Sequence, residues 1–194
     1  MKLIILVALL GILSRVDASE ACHQVVRKLY RVTPMLEGYW KQDKDRRIKY
    51  FTSAAERDPY RLEFREGKIY RNGQLYDTSS TPWGYAIIVM DQFGNMFSAL
   101  ETSKEGFHHS TFFAGQDCNA GLIKVIQGEF AGFSNESGHY QPNDVAFDSF
   151  VEAFHDKAIR TEGKLTRWDG TNSVIPLKNL RLMHSLKHEF RHGF

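Results

Sequence analysis

The chain has 194 residues, with 25 Lys and Arg against 23 Asp and Glu, 42% hydrophobic and 13% aromatic residues. Near-neutral charge lacks the basic footprint expected of a nucleic-acid binder. The length suits one ordinary domain with a core of its own, not one that must be stapled everywhere.

The chain opens MKLIILVALLGILSRVDASEACH. Lys2, the apolar run Leu3–Leu13 and the small residues Val16 and Ala18 read as a secretory signal, cleaved before Ser19. The run is too short to span a bilayer, which takes about 20 apolar residues. The expected organisation is a signal peptide over 1–18 and a single secreted domain over 19–194, extracellular and monomeric, with no transmembrane segment. Exported, the chain's two cysteines, Cys22 and Cys118, form one disulfide. Closing so long a loop is worth roughly 4–5 kcal/mol by chain entropy. Asn135 heads the sequon NES and marks a surface turn open to glycosylation.

In chain order, EACHQVVRKLYRV carries Val25, Leu29 and Val32 at helical spacing before Pro34 stops it. Residues 41–61, with KQDKDRR, read as charged, irregular, solvated surface. Asn72-Gly73 between two short runs signals a tight hairpin. GYAIIVMD and MFSAL around FGN predict a second hairpin, and GLIKVIQ and FAGFSN around GE a third. NDVAFDSFVEAFHDKAI returns to helical spacing, capped by Asn143 or Asp144, with Phe147, Phe150, Val151, Phe154 and Ala158 on one stripe. LKNLRLMHSLKHEFRHGF predicts a terminal helix. The fold class is α+β: a central antiparallel β-meander, a curled sheet or partial barrel, flanked by N-terminal, post-sheet and C-terminal helices.

Two polar knots, GFHHSTFFAG and SNESGHYQP, hold the candidate chemistry. The third hairpin separates them, so antiparallel pairing returns their ends to one place. The candidate catalytic residues are His109, Ser110, His139 and Tyr140. His139 is read as general base or hydrogen-bonder, His109 and Ser110 as the functional pair, and Tyr140 as packing on a ligand. His108 is expected to turn toward the core, because adjacent strand side chains point to opposite faces. The rival reading makes all of these structural corners. His184, His188 and His192 share one helix face, which fits either a divalent ion or an amphipathic, positively charged helix end. No cofactor and no metal site is assigned.

LYDT, GYAIIVMDQFGN, GFHHSTFFAGQDCNAGLIKV and SNESGHYQP, in that order, resemble a block found at the C-termini of bacterial secreted proteins, toxin-type polymorphic chains included. The resemblance covers Leu75–Pro142 and marks Asp91, Gly94, Asn95, His108, His109, Ser110, Phe112, Ala114, Gly115, Gly121, Gly138, His139, Tyr140 and Pro142. Thr111 replaces a usual Ser, Leu122 stands where the block has Glu, and Cys118 where a small apolar residue is expected. What it implies is a toxin-like secreted domain, with no reaction named. The expected function is a secreted toxin or effector, a venom component included, acting through the His/Ser/Tyr cleft on an unknown extracellular or target-cell component. The alternative is a secreted non-catalytic binding or matrix protein.

Overall fold

A computed structural model describes residues 28–101, 106–168 and 174–176. Within them lie α1 (Tyr39–Asp45), α2 (Ala54–Arg57) and α3 (Asp144–Asp156). The strands are β1 (Leu62–Arg65), β2 (Lys68–Arg71), β3 (Gln74–Leu75), β4 (Ala86–Met90), β5 (Met96–Ala99), β6 (Asn119–Ile126), β7 (Glu129–Ser134), β8 (Leu165–Trp168) and β9 (Val174–Pro176). The class is α+β, with the core built on sheet.

The three hairpins form where turn residues accept left-handed backbone. Asn72 and Gly73, at φ 51 and 74, join β2 to β3 with Arg71 opposite Gln74. Gln127 and Gly128, at φ 49 and 79, join β6 to β7 with Ile126 opposite Glu129. The turn is thus Gln-Gly, one residue earlier than the expected Gly-Glu. Asp91 ties the β4–β5 turn by accepting from the amides of Phe93 and Asn95, an Asx device. Glu66 and Gly67 make a further hairpin between β1 and β2.

Strands β1, β2 and β3 form one sheet, and the other is open, in the order β5-β4-β6-β7-β8-β9. Neighbours are antiparallel except β7 and β8, which run parallel because α3 crosses between them. The sequence did not signal β8 and β9. The small sheet is tied to the β6–β7 turn by the amide of Ile69, bonding to the Gly128 carbonyl. The loop after β3 is tied to β6 by the amide of Thr78, bonding to the Val125 carbonyl.

Strand β4 alternates between two cores, as period-two geometry requires. Ile88 and Met90 face the core that α3 covers, and Val89 faces a second one beneath residues 107–113. Asn143 caps α3, accepting from the amide of Ala146. Phe147, Phe150 and Phe154 of α3 pack their rings 4.6–5.6 Å from that of Phe133.

The N-terminal helix is corrected where it is described. Residues 28–33 are not helical: Tyr30 bonds to the carbonyl of Gln92, and Thr33 bridges Cys118. Residues 41–61 are not irregular, since they hold α1 and α2. The signal segment, Cys22 and the terminal helix with His184, His188 and His192 lie outside the described residues. Among the described residues, no helix is long and apolar enough to cross a membrane.

Candidate functional site

Gly106, at φ 79, bends the chain before the first knot, and His109–Thr111 then form one 3-10 turn. The HHST stretch is therefore not a strand, and its two imidazoles diverge around a turn. The β6–β7 hairpin carries the second knot back beside it. Ser137 Oγ lies 3.2 Å from His109 Nδ1, and the rings of His108 and His139 are 4.9 Å apart.

The group on which this arrangement converges is Asp43 of α1, only 1% exposed. Its Oδ1 accepts from His139 Nε2 at 2.7 Å. Its Oδ2 accepts from Ser110 Oγ at 2.5 Å and from the Tyr50 hydroxyl at 2.8 Å. Burial pushes the Asp43 carboxyl up, but these three donors together outweigh it and hold the group below its usual range. The Tyr50 phenol is raised to about 12, by burial and by that carboxylate. His108 titrates below its ordinary range because it is half-buried and beside a second imidazole.

Since a carboxylate only accepts, His139 donates from Nε2, and the lone pair of its neutral ring is then on Nδ1. Nδ1 has no hydrogen-bond partner among the described residues. The Tyr39 ring, one turn before Asp43 on α1, lies 4.6 Å from that of His139. His108 and His139 line a cleft of about 830 Å³ whose other walls include Tyr39, Trp83, Tyr85, Arg46 and Glu101. Trp83 is 92% exposed at φ 61. Its turn is pinned by Thr78 Oγ1 donating to the Gly84 carbonyl and Thr81 Oγ1 to that of Tyr85. A bulky aromatic in left-handed backbone is strained and persists only when its surroundings fix it.

The candidate residues therefore divide. His139 is at the site. Ser110 touches it, but its hydroxyl is fully buried and spent on Asp43, so it is not a nucleophile activated by histidine. His109 and His108 exchange their expected roles. His109 is buried, with Nε2 2.8 Å from the Gly121 carbonyl, and its pKa falls to about 4 through burial. His108 faces the cleft. Tyr140 is fully buried in the second core and donates to the Gln116 carbonyl at 3.0 Å, so it packs on no ligand.

Two modification sites are also placed. Asn135 is 2% exposed and its Nδ2 donates to the Pro142 carbonyl, so this sequon is no surface acceptor in the folded chain. Cys118 is fully buried and unbridged among the described residues, and burial pushes its thiol up.

Asp43 and Tyr39 were missed because both sit in or beside a charged run. Their contacts span 67 and 96 residues of sequence for Asp43, which no local pattern encodes.

Residues 56–147 match the middle domain of IQ motif-containing proteins. The segment includes the whole block Leu75–Pro142, with both histidine knots, and excludes Asp43. Over 122 residues, 59% of the chain, it is 31% identical to the IQ domain-containing protein IQM3 of Arabidopsis thaliana. The chain spans about a quarter of that relative, 26% of its length. No solved structure matches. These likenesses correct the expectation of a secreted toxin or venom effector, and of a secreted matrix protein. The extracellular location goes with it: both matches are to IQ proteins.

Proposed function

We propose that the cleft binds a small molecule and that His139 acts on it as a proton acceptor. The observation that carries this is the Asp43–His139 hydrogen bond of 2.7 Å at the cleft floor. Asp43 fixes the ring and its tautomer, as an orienting carboxylate does for a general base. His108 adds a second imidazole nearby. Tyr39, Trp83 and Tyr85 offer rings against which an apolar or planar body rests. The partner of the cleft is then a small molecule, not an extracellular component. The similarity to the middle domain covers the histidine wall of the cleft, with His108 and His139, and leaves Asp43 and Tyr39 outside the matched segment. The chain's single Ile-Gln pair, Ile126-Gln127, is spent on the β6–β7 turn, so this module contributes a cleft and not a helix built on that pair.

The test is carbethoxylation by diethylpyrocarbonate, read peptide by peptide. His139 should react quickly through Nδ1, His109 should resist, and Asp43→Asn should slow His139 several-fold. His109 and His139 are equally buried, 8% and 7% exposed, but both nitrogens of His109 are engaged. Reaction of His139 no faster than that of His109 would therefore overturn the reading.

A further inference from the structure

One nitrogen of His139 is committed to Asp43, and the rings of His139 and His108 are neighbours. Asp43, His108 and His139 each offer a donor atom, and the three lie within 4.8 Å of one another. In a tetrahedral site with bonds of about 2.0–2.1 Å, ligand nitrogens stand roughly 3.4 Å apart. His108 is the less buried of the two imidazoles, and its ring stands 4.9 Å from that of His139.

Asp43 is poorly suited to join the ion directly, because both its oxygens already accept hydrogen bonds. It is well suited to the outer position. A metal-bound histidine commonly donates its other N–H to a carboxylate, which fixes the tautomer and strengthens the ligating nitrogen. We propose that His108 and His139 bind one first-row divalent cation of the zinc type through their ring nitrogens, with Asp43 as the orienting carboxylate. Imidazole donors favour such ions over magnesium or calcium, which take oxygen. Two protein ligands leave the remaining positions open toward the cleft. The inference rests on the cleft being the working site, and adds that the lone pair on His139 holds an ion when one is supplied.

The experiment titrates Co²⁺ into the chelator-stripped full chain, reading the visible absorption of the bound ion, with Zn²⁺ as competitor. The expected result is one ion per chain, displaced by Zn²⁺. Asp43→Asn should weaken binding by 10–100-fold, and His108→Ala should abolish the signal while circular dichroism stays unchanged. His188→Ala serves as control for the terminal histidines and should change nothing. Binding that survives His108→Ala but is lost in His188→Ala would overturn the proposal, as would no binding at all.

Carbethoxylation separates this from the cleft reading. Fast labelling of His139 without Co²⁺ binding sinks only the ion. Slow labelling in the stripped chain, with Co²⁺ bound through His108, sinks only the proton-acceptor role. Saturating Zn²⁺ should protect His139 from the reagent.

Discussion

His109 and His139 show how one residue type takes opposite tasks from its surroundings. A carbonyl can only accept, so His109 donates from Nε2 to Gly121 and accepts at Nδ1 from Ser137. Its ring is held neutral, with a pKa near 4 against an ordinary 6.5. The unfolded chain therefore binds the extra proton in that interval. Its contribution to stability is complete above about pH 6.5 and is lost as pH falls toward 4. Over the whole interval that amounts to about 3 kcal/mol. Urea unfolding should show the chain clearly less stable at pH 5 than at pH 7. His109→Gln, which removes the titrating ring, should be weaker at both but flatter between them. Equal wild-type midpoints at the two pH values would refute the assignment. Tyr140→Phe is the companion test. It removes one buried donor to the Gln116 carbonyl and should cost about 1 kcal/mol. Because Tyr140 stands outside the cleft, carbethoxylation of His139 should stay as it was.

At the scale of elements, strands and turns were legible where the signal is local. Asn72-Gly73 specifies its hairpin because those residues tolerate φ above zero, and the phenylalanine spacing of α3 specifies its buried face. The knots' return to one place also followed from the intervening hairpin. What stayed hidden depends on pairing across long separations. The burial of Asp43, the 3-10 turn that swaps His108 with His109, and the parallel β8 are set by partners far along the chain. The glycines separate the two kinds of constraint. At Gly73 a Cβ meets open space, so Gly73→Ala carries only the left-handed backbone penalty, about 1–2 kcal/mol. At Gly121 a Cβ runs into the Ser134 carbonyl and the Phe133 ring. Gly121→Ala should cost about 3 kcal/mol or more by forcing β6 from β7, and should disturb His109 through its Gly121 bond. Thermal melts in which Gly73→Ala is the worse of the two would show that the β6–β7 approach is not tight.

In the whole molecule, β4 is the shared wall of two cores, and this decides how the site depends on the fold. Phe150 is fully buried under α3, and Phe112 is fully buried beneath the histidine turn. Phe112 packs edge-on to Phe51 at 5.8 Å and to Tyr60 at 5.8 Å. The amide of Phe51 bonds to the carbonyl of Thr111, which ties this core to the 3-10 turn. Truncating either ring leaves a large cavity, and each change to Ala should cost about 3–5 kcal/mol. Because Ile88 and Val89 point from one strand into opposite cores, neither core can melt while the other keeps the sheet. Both variants should therefore unfold in a single transition. Their effects on the site should differ. Phe150→Ala should leave amide exchange at His109–Thr111 near its wild-type rate below the melt. Phe112→Ala should speed it, because the support beneath that turn is gone, and should blunt the reactivity of His139 by loosening the Ser110–Asp43 bond. Two separable transitions, or equal effects of both variants on the turn, would mean that the cores are independent and that the cleft is held by its hydrogen bonds alone.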